Sequence, residues 1–247
     1  MRAAPLALLC VFTASLASAA PDPEEGHRMS RQRMITHDLA GRDIGDPRVL
    51  KAMEAVPRHR FVPDERRHLA YADHPLPIGH QQTISQPYIV ALMTQLAGAA
   101  PGMKALDVGT GSGYQAAVLS RIVDKVYGIE IVCPLAERAR ATLSALAYDN
   151  VEVRCGDGFR GWPEHAPFDL IILAAAPERV PPALIEQLRP GGRLVLPVGD
   201  RVQRLLVVHR TKDGHRVEDH GGVRFVPMTG EVRGDAPKAP TRGTPTR

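Results

Sequence analysis

A strand-like run that ends in a turn with glycine at every second position constrains this chain more than any other segment. Lys104–Val108 supplies a short apolar run, and Gly109, Gly111 and Gly113 follow it in the sequence Gly-Thr-Gly-Ser-Gly. Alternating glycines let the backbone turn tightly and approach a ligand, with a helix N-terminus beyond the turn. The pattern predicts the first strand–turn–helix unit of an α/β fold with a ligand at the end of the strand.

The rest of the chain supports this fold class. Beyond residue 103, runs typical of strands cover residues 104–108, 125–129, 151–154, 168–173, 193–197, 201–209 and 223–226. Between the second and third runs, Leu135, Ala139, Leu143 and Leu146 recur at helical spacing, as in an amphipathic helix. The alternation predicts an α/β fold, a doubly wound and mostly parallel sheet with helices on both faces.

The N-terminal segment has the layout of a secretory signal peptide. Arg2 is followed by an apolar run, and an Ala-Ser-Ala stretch at 17–19 matches a small-x-small cleavage site. If this signal is real, the protein is periplasmic or secreted. The alternative is a true start near Met29, which would leave the protein in the cytoplasm.

The remaining boundaries follow from composition and spacing. Asp46-Pro47 is typical of a helix start, and a second helix is expected from Pro87 to about Ala97. We expect a signal peptide (1–19), a linker (20–33), one domain (34–230) made of a helical and loop extension (34–102) and an α/β core (103–230), and a disordered tail (231–247).

Two acidic residues follow the predicted strands. Glu130 closes the second strand, where a carboxylate can accept hydrogen bonds from both hydroxyls of a ribose, which indicates an adenosine-containing cofactor. The turn reads GxGxG rather than GxGxxG, so the pattern of a dinucleotide oxidoreductase is incomplete. Asp157, in a Gly-Asp-Gly stretch after the third strand, can accept from an adenine amino group, and the alternative is a turn-forming aspartate.

Together with the Pro-Gly-Gly turn at 190–192, these motifs resemble those of the class I S-adenosylmethionine-dependent methyltransferases. The block Thr83-Ile84-Ser85-Gln86-Pro87 narrows the resemblance to the protein-L-isoaspartate O-methyltransferases. Further blocks lie in the order seen in that family, at residues 58–63, 70–73, 76–80, 166–169, 175–177 and 223–227. The resemblance spans roughly residues 29–230; Ala174 departs from it, since the family often has threonine there.

The resemblance implies S-adenosyl-L-methionine as the cofactor and isoaspartyl-containing proteins and peptides as partners. The methyl acceptor is then the free carboxylate of L-isoaspartyl residues, and the ester collapses to a succinimide that initiates repair. The implied cofactor-binding residues are Thr83, Ile84, Ser85, Asp107, Gly109, Gly111, Gly113, Glu130, Asp157 and Gly158.

Ser85 is the catalytic residue that the resemblance implies, a hydroxyl that orients the acceptor carboxylate. The alternative is that Ser85 caps the helix expected from Pro87. Because a carboxylate is ionised at neutral pH, its methylation requires no general base. We therefore expect structural or solvent roles for His74 and His80.

Two other function classes stay open, methylation of another carboxylate or small molecule and a non-catalytic S-adenosylmethionine-binding module. The net charge of +4 is scattered and aromatic residues are 4%, so no nucleic-acid partner is expected. The apolar run near the N-terminus is short for a bilayer span, so we expect no stable membrane anchor. No metal site is expected, because the ten histidines show no HExxH spacing.

The cysteines and the oligomeric state complete the expectations. Cys10, Cys133 and Cys155 show no CxxC spacing, which rules out a cysteine-rich zinc site. A disulfide between Cys133 and Cys155 is conceivable in an oxidising compartment, but two buried thiols are the default expectation. We expect the protein to be a monomer.

Overall fold

A computed structural model describes residues 23–233, so the expectations for residues 1–22 and 234–247 lie outside the described residues. The helices are α1 (Pro23–Arg33), α2 (Pro47–Ala55), α3 (Pro87–Ala97), α4 (Tyr114–Ser120), α5 (Cys133–Ala145) and α6 (Pro182–Glu186). The strands are β1 (Leu76–Gly79), β2 (Gln82–Ile84), β3 (Lys104–Val108), β4 (Lys125–Glu130), β5 (Val151–Cys155), β6 (Phe168–Leu173), β7 (Leu188–Val198), β8 (Gln203–Arg210) and β9 (His215–Val223).

Seven strands form one sheet in the order β5-β4-β3-β6-β7-β8-β9, and β1 and β2 form a separate hairpin. The strands from β5 to β7 pair in parallel, whereas β8 and β9 are antiparallel. The predicted doubly wound, mostly parallel sheet is therefore confirmed. The winding reverses at β3, which lies between β4 and β6, and ligands of open α/β sheets bind at such a switch point.

Residues of β3 alternate between the two faces of the sheet and so contribute to two apolar layers. Ala105 belongs to the layer formed with α3, α4 and α5. Leu106 and Val108 belong to the opposite layer, which contains Phe168 and Leu184 of α6. Because both faces are covered, β3 is buried and its carboxyl end lies inside the molecule.

The N-terminal extension departs from the sequence expectation. The linker predicted over 20–33 is wrong for its described part, because α1 is helical and runs into a π-helical turn at Met34–Leu39. His27 of α1 stacks on the buried imidazole of His59 with ring centroids 4.1 Å apart, and Nδ1 of His59 lies 2.8 Å from the Tyr71 hydroxyl. The residues that make these contacts lie far apart in sequence, so the polar composition of the segment does not predict them.

The C-terminal part of the sheet also differs. The strand expected at 223–226 is wrong, since β9 ends at Val223. That strand lies at the edge of the sheet and is largely exposed, so it lacks the apolar run by which a buried strand is recognised. The Pro-Gly-Gly turn at 190–192 forms a bulge at the start of β7, where the register with β6 shifts.

Two predicted helix starts are confirmed. The Asp46 side chain accepts a hydrogen bond from the Arg48 N–H at 2.9 Å and caps α2, while α3 begins at Pro87 and ends at Ala97. Over residues 23–233, the helices are all too short or too polar to cross a bilayer.

Candidate active site

A cleft opens at the carboxyl ends of β3, β4 and β6. Its position is the switch point of the sheet, where ligands of open α/β folds bind. Of the site residues predicted from the sequence, those that line the cleft are Thr83, Ile84, Ser85, Gly109, Gly111, Glu130 and Gly158. The structure therefore brings most of the set together.

The glycine turn is held against the end of β4. The backbone N–H groups of Gly109 and Thr110 both donate to the Ile129 carbonyl, at 2.8 and 3.1 Å. Gly109 has φ +79°, a left-handed conformation that favours glycine. Gly113 has a different environment, since a Cβ there would lie 3.2 Å from Leu143 Cδ1 of α5. Gly113 thus serves the packing of α5 beside the turn.

Glu130 connects the turn to the cleft. Its Oε2 accepts a hydrogen bond from the Gly111 N–H at 2.7 Å, and its Oε1 accepts from the Val132 N–H at 2.9 Å. Burial raises the pKa of the Glu130 carboxyl above its ordinary value, and the backbone N–H groups of Val132 and Gly111 oppose this rise. Since each carboxylate oxygen can accept more than one hydrogen bond, Glu130 can still accept from ligand hydroxyls.

Asp107 lies on β3 one residue before Val108, which lines the cleft. Its side chain is fully buried, and neither carboxylate oxygen accepts a hydrogen bond from any described residue. Burial raises the pKa of Asp107 to about 7, and the neighbouring charge of Glu130 adds to the rise. A buried carboxyl without a partner is unfavourable. Asp107 itself does not line the cleft, so its cofactor role stays a prediction.

Ser85 follows β2, and its backbone carbonyl accepts a hydrogen bond from Arg58 Nη2 at 2.8 Å. The capping alternative does not describe its position, because the cap residue of α3 is Gln86. The free N–H of Tyr88 in the first turn of α3 instead donates to Asp73 Oδ1 at 3.1 Å. Ser85 is half-buried and lines the cleft.

A second, open groove lies next to the cleft. Its walls come from the segment after β2 and from the chain beyond β9, which includes Arg224 and Phe225. The residues common to the cleft and the groove are Thr83, Ser85, Ala174, Val226 and Pro227. Ser85 therefore lies on the boundary between the two spaces.

Asp157 is engaged in a turn. Its Oδ1 accepts from the Phe159 N–H at 2.9 Å, and its Oδ2 accepts from the Glu231 N–H at 2.8 Å. These contacts match the turn-forming alternative, and the cofactor role of Asp157 stays a prediction. Gly158 beside it lines the cleft, and a Cβ there would approach Val108 Cγ1 to 2.2 Å, so this position requires glycine.

The histidines considered as general bases lie outside the cleft lining. His80 and Gln81 have φ +52° and +59° in the two-residue loop of the β1–β2 hairpin, the left-handed conformations of a type I′ turn. His74 is exposed, with Nδ1 3.0 Å from the Pro75 carbonyl oxygen. In the part of the chain that the structure describes, no three His, Cys, Asp or Glu side chains are grouped as metal ligands would be.

Cys133 and Cys155 form a disulfide, with their Cα atoms 5.0 Å apart. The expectation of two buried thiols is wrong, since Cys133 is exposed at the start of α5. Glu130 pairs with Cys155 across β4 and β5, and the chain returns to this point three residues later at Cys133. The positions of the two cysteines after neighbouring strands were the available sequence signal.

Sequence reasoning assigned no role to Arg58 or Asp73, although both lie in blocks of the family resemblance. Both residues contact the segment around Ser85 from distant points of the chain. Such contacts need the fold, because nothing in the local sequence indicates which carbonyl a buried arginine will reach.

Comparison with known proteins decides the family. Residues 29–233 match the family model described as protein-L-isoaspartate(D-aspartate) O-methyltransferase. The chain belongs to the protein-L-isoaspartate O-methyltransferase family. It is 51% identical over 204 residues to a protein-L-isoaspartate O-methyltransferase of Picosynechococcus sp., covering 83% of this chain and 92% of the relative. It is 54% identical over 200 residues to one of Gloeobacter violaceus, covering 80% and 98%.

Solved structures of the same family share the fold. One protein-L-isoaspartate O-methyltransferase superposes with a TM-score of 0.74 at 28% identity, covering 82% of this chain and 67% of that one. Another, from Plasmodium falciparum, has S-adenosyl-L-homocysteine bound; its TM-score is 0.71 at 25% identity, covering 81% and 98%.

Protein-L-isoaspartate O-methyltransferases use S-adenosyl-L-methionine, and the residues of the cleft fit this cofactor. Glu130 offers acceptors for ribose hydroxyls, and Asp107 is a buried carboxyl that lacks a partner among residues 23–233. The glycine turn keeps side chains away from the ligand. The cofactor carries an amino group and a sulphonium, both cationic, and the carboxylate of Glu130 lines the cleft.

Proposed function

We propose that this chain transfers a methyl group from S-adenosyl-L-methionine to the free carboxylate of L-isoaspartyl residues in damaged proteins and peptides. The ester then closes to a succinimide, whose hydrolysis returns part of the damaged sites to normal aspartate. One observation carries the proposal. Ser85 lies where the cofactor cleft meets an open groove, and we assign this groove to the polypeptide substrate.

The cleft residues hold the methyl donor. Glu130 accepts hydrogen bonds from the ribose, while its bonds to Gly111 and Val132 keep the glycine turn in place. When bound, S-adenosyl-L-methionine supplies an electrophilic methyl group on a sulphonium, a leaving group that needs no proton.

Ser85 acts on the acceptor. Its hydroxyl donates one hydrogen bond to one oxygen of the isoaspartyl carboxylate, which leaves the other oxygen free to face the methyl group. The carboxylate is already ionised at neutral pH, so the site needs no general base. The rate enhancement then comes from the fixed position and orientation of the acceptor and from the exclusion of water.

Methyl transfer to a matched pair of peptides tests the proposed function. One short peptide contains isoaspartate, the other contains normal aspartate at the same position, and the methyl group of the cofactor is radiolabelled. We expect label on the isoaspartyl peptide alone, released by mild alkali as for an ester. No label on either peptide, despite measurable cofactor binding, would indicate another acceptor or a binding-only module.

The Ser85→Ala variant tests the assigned role. We expect turnover of the isoaspartyl peptide to fall by roughly tenfold to a thousandfold, since the variant loses a hydrogen bond that orients the acceptor. The affinity for S-adenosyl-L-homocysteine, measured by calorimetry, should change little. Ser144→Ala, on the exposed face of α5, is the matched control. Turnover of Ser85→Ala at the unaltered rate would remove Ser85 from the mechanism.

We also propose that the protein is exported, to the periplasm or beyond. The disulfide between Cys133 and Cys155 supports export, because disulfides persist in oxidising compartments and are rare in the cytosol. The signal-like pattern at residues 1–19 agrees with it. N-terminal sequencing of the protein from its own cells, together with thiol alkylation, tests this. A start at Met1 or Met29 with free thiols would contradict export.

We further propose that the chain acts as a monomer. The proposal is supported by the cleft of a single chain, which brings together Ser85, Gly109, Gly111, Glu130 and Gly158. Light scattering during size-exclusion chromatography should give a single-chain mass at assay concentrations, and a dimer mass would contradict the proposal.

A further inference from the structure

Arg58 is a fully buried cation that the mechanism above does not use. Its guanidinium reaches two backbone carbonyls, with Nε donating to Ala70 at 2.7 Å and Nη2 donating to Ser85 at 2.8 Å. Ala70 and Ser85 lie on either side of the β1–β2 hairpin in the sequence. The planar guanidinium of Arg58 therefore binds both ends of the segment 70–85, which carries the Ser85 hydroxyl.

The same guanidinium also contacts a residue of the cofactor cleft. The Arg58 Cζ lies 4.8 Å from the ring centroid of Tyr114, in the geometry of a cation–π contact. Tyr114 is the first residue of α4, directly after the glycine turn, and it lines the cofactor cleft. Arg58 thus contacts both the acceptor-side segment and the helix that follows the cofactor's turn.

Stability alone gives a poor reason for a cation at this position. A buried charge carries a desolvation penalty that well-packed apolar residues avoid. Nη1 of Arg58 makes no hydrogen bond with the described residues, so the guanidinium is not fully satisfied either. An arginine that costs free energy here is more readily explained by the geometry that it imposes.

A carboxylate secures the chain just after Ser85. Asp73 Oδ2 accepts from Gln86 Nε2 at 2.7 Å, and Asp73 Oδ1 accepts from the Tyr88 N–H at 3.1 Å. The backbone after Ser85 is therefore fixed by Asp73, and the carbonyl of Ser85 itself is fixed by Arg58. Ser85 itself lines both the cleft and the groove.

We infer that Arg58 is a positioning residue for methyl transfer, which sets the distance and angle between the Ser85 hydroxyl and the methyl donor. The inference rests on the proposed role of Ser85. Arg58 acts through the Ser85 backbone carbonyl, and that carbonyl is retained when Ser85 is replaced by alanine. The contribution of Arg58 to turnover should consequently disappear once the hydroxyl is absent.

A double-mutant cycle tests this. Arg58→Lys keeps the positive charge, but a single ammonium lacks the planar fork that spans two carbonyls. In the otherwise unchanged enzyme, we expect Arg58→Lys to lower kcat by roughly tenfold to a hundredfold, as for a small displacement of a catalytic group. In the Ser85→Ala background, the same substitution should change kcat by less than about twofold.

Arg193→Lys is the matched control. Arg193 Nη1 donates to the Leu96 carbonyl at 3.1 Å, at the opposite end of α3 from Ser85. This variant should leave kcat unchanged in both backgrounds. All kcat values are expressed per cofactor site, titrated with S-adenosyl-L-homocysteine, so that misfolded protein does not enter the comparison. If Arg58→Lys yields no folded sites, Arg58→Gln, which keeps one donor, takes its place in the cycle.

The outcomes separate the two ideas. If Ser85→Ala leaves kcat unchanged, the role of Ser85 fails and the inference fails with it. If Ser85→Ala lowers kcat, but the Arg58 substitution lowers kcat equally in both backgrounds, only the inference is overturned. A loss confined to the background with Ser85 intact supports it.

Discussion

Glu130 shows how one side chain serves both the fold and the ligand. Its two oxygens accept from the N–H groups of Gly111 in the glycine turn and Val132 at the start of α5. The carboxylate therefore holds the glycine turn to the start of α5. The same oxygens are the acceptors available to a ribose, so loss of the side chain removes a brace and a binding group together.

For Glu130→Ala we expect weaker cofactor binding, by about 2 to 3 kcal/mol or roughly a hundredfold in Kd, since two charge-assisted bonds are lost with the ribose contacts. Calorimetry with S-adenosyl-L-homocysteine measures this. Glu137→Ala, on the exposed face of α5, is the control. An affinity within twofold of the original would remove Glu130 from the ribose site.

The proposed mechanism without a general base predicts a flat pH dependence for the chemical step. The acceptor carboxylate is ionised throughout the neutral range, and His80 occupies a turn outside the cleft lining. Single-turnover rates measured from pH 6 to 8 should show no rising limb near pH 6.5. A limb in that range that disappears in His80→Gln would restore the histidine as a base.

The sequence predicted the site residues that belong to local motifs. It did not predict the residues whose contacts join distant parts of the chain. The glycine turn and Glu130 were recognisable because their spacing is set by one strand–turn–helix unit. Arg58 and Asp73 contact the Ser85 segment across the fold, so no spacing rule marks them. The sequence could not predict the contacts of Asp157, because its Oδ2 accepts from the N–H of Glu231, which is distant in sequence.

Among the elements, the junction of β4, α5 and β5 is the most constrained. The disulfide joins the start of α5 to the end of β5. Cys133 comes two residues after Ile131, and Cys155 comes three residues before Gly158; both Ile131 and Gly158 line the cleft. It closes a loop with a sequence separation of 22. Constraining such a loop in the unfolded chain contributes about 3 kcal/mol to stability.

Reduction with a dithiol should therefore lower the free energy of unfolding by about 3 kcal/mol, as measured by urea titration. The double variant Cys133→Ser with Cys155→Ser should lose a similar amount and should not respond to the dithiol. Equal unfolding midpoints for oxidised and reduced protein would contradict a structural role for the bond.

The elements that the sequence predicted well are buried ones with strong periodicity. β3 and β6 have the predicted bounds, since apolar runs between two covered faces are unambiguous. Polar surface elements escaped recognition, because their stability comes from contacts that composition does not reveal. For α1 that contact is the stacking of His27 on His59.

Two buried groups give the whole molecule opposing responses to pH. Burial raises the pKa of Asp107 to about 7, so the folded chain binds this proton more tightly than the unfolded chain and gains stability as the pH falls below 7. Burial, together with the charge of His27, lowers the pKa of His59 to about 4. The folded state therefore loses stability as the pH falls from 6.5 towards 4.

Asp107→Asn should separate the two responses in the cofactor-free protein. The variant has no carboxyl to ionise, so above pH 7 it should be more stable than the original chain by a few kcal/mol. On acidification from pH 6.5 to 4.5 it should lose stability more steeply, because the stabilising protonation of Asp107 is gone while the cost of protonating His59 remains. Urea midpoints at several pH values measure both effects. Parallel curves for the two proteins would contradict the buried, unpartnered state of Asp107.

The exposed edge strand β9 affects how the enzyme can interact with unfolded polypeptides. Its outer side pairs with no described strand, and it carries Arg216, Glu218 and Asp219 in largely exposed positions. Charged side chains on a sheet edge discourage a stray strand from adding to it. Aged and partly unfolded polypeptides are the clients of a repair methyltransferase, and they are the chains most prone to such addition. We therefore expect the charged margin to disfavour pairing of such polypeptides with the edge of the sheet.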